Sequence, residues 1–131
     1  MLLAFALTAI LVALAAFQFA LALGAPWGRL AWGGQHRILP ARLRIGSAAA
    51  IVVYALIVAI AWDRLGVIDV FPEGFSMIAM WVVFGYFVLG ILLNAISRSS
   101  PERLVMVPVT IVLSVLSFLI ALGYGALAAP A

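Results

Sequence analysis

The sequence predicts an all-α membrane protein, an antiparallel four-helix transmembrane bundle with both termini outside the cytoplasm. Three observations carry that expectation. Of 131 residues, 69% are hydrophobic and only 8% charged, and the mean hydropathy is +1.36. A soluble domain carries about 25% charged residues because its surface has to stay hydrated, so this chain cannot clothe a water-facing surface. Second, four apolar runs close to span length contain no Asp, Glu, Lys, Arg or His. A bilayer core about 30 Å thick takes about 20 residues of helix, and backbone groups in lipid must bond within their own segment. Third, six arginines fall in the first and third connections and one in the second. The positive-inside rule places the Arg-rich side in the cytoplasm.

The first span, Leu2–Leu23, has no basic residue before it and an apolar run longer than the roughly 7–15 residues of a signal-peptide core. It is therefore expected to be retained. The loop over 24–46 reads GAPWGRLAWGGQHRILPARLRIG. It interleaves Arg29, Arg37, Arg42 and Arg44 with Leu30, Trp32, Ile38, Leu39 and Leu43, so it is expected to lie along the membrane surface. The second span, Ser47–Trp62, is short and is expected to borrow Ile45 and Leu65, with Pro40 starting a turn that leads into it. The outer loop, 63–75, holds Asp63, Arg64, Asp69 and Glu73. The third span is Ser76–Ile96. After the cytoplasmic loop 97–103, with Arg98 and Arg103, Ser99 or Ser100 followed by Pro101 and Glu102 gives an N-cap, an early Pro and an early acid. The fourth span is Leu104–Ala121. Trp27, Trp32, Trp62 and Trp81 fall near the expected interfaces, as an aromatic belt requires. The whole chain, 1–131, reads as one transmembrane domain.

Lipid is as apolar as Leu, so helices in a bilayer meet through small residues and polar contacts. In the first span Ala9 and Ala13, and Ala16, Ala20 and Gly24, have that spacing. In the third, Tyr86, Gly90, Asn94 and Ser97 share a face; in the fourth, Thr110, Ser114, Ser117 and Tyr124 do so. Ser47 and Tyr54 share one in the second. Each stripe is expected to face the bundle interior. A side-chain amide in hydrocarbon wants a partner. Gln18 and Asn94 have the same expected depth, so they are expected to approach each other or to line one polar recess with Ser47, Ser97 and Thr110.

Composition also excludes chemistry. With no Cys there is no thiol redox centre. With no ionisable residue inside a span, a proton relay or ion-coupled pump lacks its working group. One His cannot supply paired intramembrane haem ligands. No catalytic set, metal site or cofactor is expected. The sole imidazole, His36, and the one acid expected on its side, Glu102, form a weak acid–base pair. The stronger candidate is electrostatic. Two helix N-termini on the cytoplasmic side present free N–H groups and positive dipole ends. Around them stand Arg29, His36, Arg37, Arg42, Arg44, Arg98 and Arg103, with Gly33 and Gly34 offering amides to an anion or lipid headgroup.

The elements GAPWG, WGGQHRILP and LRIGS, followed by NAISRSSPER and MVPVT, resemble a family of small uncharacterised bacterial four-span integral membrane proteins. The shared pattern is GAP-aromatic-Gly, WGGQHR-x-Leu-Pro, Leu-Arg-x-Gly-Ser and Asn-x-x-Ser-Arg-Ser. The resemblance implies the four-span layout, a place in the bacterial inner membrane, and attention to Gly24, Pro26, Gly33, Gly34, Pro40, Arg44, Ser47, Asn94, Ser97 and Arg98. It implies no activity.

Three functional readings stay open on the sequence. The first is a non-enzymatic protein that binds an anionic lipid or amphiphile at its cytoplasmic face, or serves as a helper subunit. The second is an uncoupled carrier or channel for a small neutral or amphipathic solute. The third is a lipid-headgroup enzyme using His36 and Glu102. Expected partners are membrane lipids, anionic ones included, and either another membrane protein or a second copy of the chain; nucleic acid is not expected.

Overall fold

The computed structural model describes residues 1–126. Four α-helices account for most of it: α1, Leu2–Ala22; α2, Ala41–Arg64; α3, Phe75–Ala95; and α4, Ser100–Ala121. Each is long and apolar enough to cross a bilayer, and the chain is a multi-pass membrane protein. Two short 3-10 turns, Gly28–Leu30 and Trp32–Gly34, lie in the long connection between α1 and α2.

The helices form an up-down bundle in which α1 pairs with α2 and α3 with α4, while α2–α3 and α1–α4 contacts close the ring. The short 96–99 connection forces α3 and α4 to run antiparallel, and the bond from Arg44 to the Ala22 carbonyl sets the start of α2 beside the end of α1. The N-terminal amine donates to the Gly125 carbonyl at 3.2 Å. The chain start, the end of α4 and the α2–α3 connection therefore share one end of the bundle, and the 24–40 connection covers the other.

The core is built of Leu7 and Leu11 from α1, Ile57, Ile60 and Ala61 from α2, Met80, Val83 and Phe87 from α3, and Leu113, Ile120 and Ala121 from α4. This corrects one expectation. Ala9, Ala13 and Ala16 are exposed, whereas Ala4, Leu7, Leu11 and Leu21 of the same helix are buried. The larger side chains fill the space between helices, and the small-residue stripe is turned outward. In α4, Ser114 and Ser117 of the expected face are interior, at 4% and 0% exposure, whereas Tyr124, past the end of the helix, is 61% exposed.

Two helices are longer than the apolar runs. α2 starts at Ala41, immediately after Pro40, and runs to Arg64. Polar residues extend it because a helix does not end where the hydrocarbon does. α4 starts at Ser100 with Pro101 in its first turn. The Ser99 side chain does not cap it; its hydroxyl donates instead to the Arg29 carbonyl.

At the terminal end, Asp63 organises the α2–α3 connection. Its carboxylate accepts from the Val70 and Phe71 amides at 2.9 and 3.0 Å and from the Ser76 hydroxyl at 2.6 Å. Trp62 donates to Thr8 at 2.8 Å, tying α2 to α1.

Candidate functional site, a polar hollow beneath the long loop

The long loop is a strap across the bundle end. Its conformation turns on Trp32, Gly33 and Gly34, with φ of 53°, 79° and 69°. Trp32 is the one non-glycine at positive φ among the described residues, a conformation that costs about 1–3 kcal/mol and persists only where surrounding contacts enforce it. Here they do. The Trp32 indole lies over Gly46, where a Cβ would come within 2.8 Å of the ring, and its Nε1 donates to Ser47 at 3.1 Å. Gly34 sits so close to α4 that a Cβ there would fall 2.2 Å from the Ser99 Cβ. Between them, the Gly33 amide donates to the Glu102 carboxylate at 3.0 Å.

Beneath this strap the helices enclose a cavity of about 240 Å³. Apolar side chains from α1, α3 and α4 form most of its wall. The polar lining is Gln18, Tyr54, Tyr86, Asn94, Glu102 and Thr110. Gln18 donates through Nε2 to the Tyr54 hydroxyl at 3.4 Å, while its Oε1 is buried without a partner. Thr110 bonds back to Met106 at 2.7 Å, the usual resolution for a hydroxyl inside a helix. Glu102 is 4% exposed. The Gly33 amide and the Ser97 hydroxyl face it, and no Arg or His reaches it. Tyr86, Leu89 and Leu93, at 46%, 52% and 55% exposure, edge the cavity on α3, so its mouth opens sideways between helices.

Of the recess expected from sequence, Gln18, Asn94 and Thr110 line this one cavity, whereas Ser47 and Ser97 lie outside it. Ser47 is taken up by Trp32, and Ser97 accepts from the Ser99 amide at 3.1 Å. Glu102 and the two tyrosines were not anticipated here. Glu102 sits in the first turn of α4, where an acid is explained by the helix dipole alone.

The arginines and glycines expected to gather an anion are arranged otherwise. Arg44 donates through Nε to the Ala22 carbonyl at 2.9 Å, capping the C-terminus of α1. Arg103 donates to the Ser97 carbonyl just past α3 and to Ser100. Arg29 reaches the Gly34 carbonyl at 3.4 Å. At the opposite end, Arg64 donates to the Ala121 carbonyl at the end of α4 at 3.1 Å. A guanidinium at a helix C-terminus satisfies orphan carbonyls and the negative end of the dipole. The Gly33 amide is occupied by Glu102 and the Gly34 amide by the Ala31 carbonyl, so neither is open to an incoming anion. Arg37, Arg42 and Arg98 are exposed and, among the described residues, donate no side-chain hydrogen bond. His36 does not line the cavity that holds Glu102.

No family model, curated protein or solved structure matches the chain.

Proposed function

We propose that this protein binds a small amphiphile in the cavity beneath the long loop, without chemistry on it, from a position in a bacterial inner membrane with the loop on the cytoplasmic side. The observation that carries this reading is the mixed wall of the cavity, together with its sideways mouth. A hydrocarbon tail needs apolar contact, a polar head needs hydrogen-bonding groups out of water, and the cavity offers both where an amphiphile already in the bilayer can enter. Arg37, Arg42 and Arg98, exposed on the same end of the molecule, offer anionic headgroups a looser attraction outside the cavity.

The test is native mass spectrometry of protein extracted gently from its own membrane, beside a Gly90→Leu variant. Gly90 lines the cavity, and a Cβ there makes only ordinary contact with Thr110, at 3.5 Å. A longer side chain extends into the hollow without disturbing the helix, which gains about 0.5–1 kcal/mol from losing a glycine. The parent chain is expected to retain an amphiphile that Gly90→Leu does not. Equal retention by both, or none by either, contradicts the reading.

A further inference from the structure

The cavity wall is unbalanced in a way that selects among head groups. Its one ionisable acid is Glu102, and no basic side chain lines it. Glu102 accepts from the Gly33 amide, and the neutral polar groups of the wall are Gln18, Asn94, Thr110 and the hydroxyls of Tyr54 and Tyr86. The Gln18 amide nitrogen donates to the Tyr54 hydroxyl. Five aromatic residues also line the cavity, Phe17, Trp32, Tyr54, Tyr86 and Phe87.

Each of these features favours a cation that donates hydrogen bonds. Aromatic faces attract ammonium groups through the ring quadrupole, most strongly where water is excluded. A carboxylate out of water is costly without an opposite charge, and N⁺–H to O⁻ bonds are about twice as strong as neutral ones. An anionic head meets the opposite conditions: a carboxylate in the wall, and arginines committed elsewhere or standing outside.

A place for the tail adjoins the cavity. The groove between α2 and α3, about 480 Å³, is lined by apolar side chains from Val53 to Ile60 and from Phe75 to Val83, and by Tyr86. Tyr86 belongs to both hollows. A head group in the cavity and a hydrocarbon tail in the groove would therefore meet across one tyrosine ring.

We infer that the ligand is an amphiphile with a primary ammonium head, seated at the Glu102 carboxylate beside the aromatic wall, with its hydrocarbon tail in the α2–α3 groove. The inference rests on the proposed function and narrows it to one head-group class. The ammonium belongs either to a free alkylamine or to the headgroup of an aminophospholipid.

The experiment is calorimetric titration of the unaltered protein, in nanodiscs of phosphatidylcholine, with octylammonium, octyltrimethylammonium, octanol and octanoate, with empty nanodiscs subtracted. Octylammonium is expected to bind saturably and tighter than octanol by roughly tenfold or more, the scale of a charged hydrogen bond. Octyltrimethylammonium, which cannot donate a hydrogen bond to Glu102, is expected to bind more weakly than octylammonium, and octanoate weakest of all. Glu102→Gln, which keeps an acceptor for the Gly33 amide, is expected to erase the preference over octanol while octanol still binds. Nanodiscs of phosphatidylethanolamine separate the two sources. Weaker apparent octylammonium binding there assigns the site to the lipid headgroup, and unchanged binding assigns it to a free amine. Octanol or octanoate binding as tightly as octylammonium overturns the ammonium inference but leaves an amphiphile site standing; saturable binding by none of the four removes both.

Discussion

Taking the acceptor away from the Gly33 amide leaves a donor wedged between the loop and α4, and a buried unsatisfied group costs about 1–3 kcal/mol. Glu102→Ala is therefore expected to lower the thermal unfolding midpoint in detergent. Glu102→Gln keeps an acceptor and removes a desolvated charge, so its midpoint should lie at or above that of the parent chain; a Gln variant less stable than the Ala variant would contradict this. The adjacent glycines differ in kind. Gly33 has open space where a Cβ would stand, while Gly34 faces the Ser99 Cβ at 2.2 Å. Gly33→Ala should cost about 1–2 kcal/mol, from its left-handed backbone alone. Gly34→Ala adds a main-chain displacement to a similar strain and should cost more, which comparative thermal unfolding checks. Little of this was legible in the sequence. Gly33 and Glu102 are 69 residues apart, and an acid in the first turn of a helix already has a local explanation. The Gly-Gly pair was visible as an anion cradle, but the anion it holds is the chain's own carboxylate.

At the scale of the elements, the arginines act first as ties between helices. Arg44 fastens α2 to the end of α1, Arg103 closes the turn from α3 into α4, and Arg64 holds α2 to the end of α4. Arg44→Ala should cost about 1 kcal/mol through the lost carbonyl and dipole contact, whereas Arg37→Ala or Arg98→Ala should stay within about 0.5 kcal/mol. Equal losses at all three positions, in unfolding measured side by side, would show that capping is not what distinguishes Arg44. The helices themselves were legible, because twenty apolar residues in a row have few other fates. Their faces were less so. With apolar residues all round, α1 carries almost no amphipathic signal, and only the packed structure shows that Leu7 and Leu11 turn inward while Ala9 and Ala13 turn out.

The whole molecule is a ring of four helices closed at one end by a strapped loop, with a side opening into lipid just beneath it. The proposed orientation, with the loop in the cytoplasm, rests on charge: six arginines on the strapped side against one on the other, read by the positive-inside rule. The chain contains no Cys, so single substitutions report cleanly. In intact cells, Asp69→Cys should react with a membrane-impermeant maleimide and Arg37→Cys should not; the reverse pattern would invert the topology. This arrangement also decides what the cavity can receive. On the proposed function, entry is from the bilayer side, past Tyr86, Leu89 and Leu93, rather than through the loop, where Trp32, Gly33 and Gly34 are each held by a contact to α2 or α4.

The central claim is that an amphiphile occupies the hollow beneath the loop, and its most direct test is photolabelling with a single-chain amphiphile carrying a diazirine next to its head group. In neutral nanodiscs, with labelled peptides mapped by mass spectrometry, the label should concentrate on the α3 segment from Tyr86 to Asn94 and the facing residues of α4, and fall away in Gly90→Leu. Label spread evenly over the lipid-exposed faces of all four helices, unchanged by Gly90→Leu, would contradict the account.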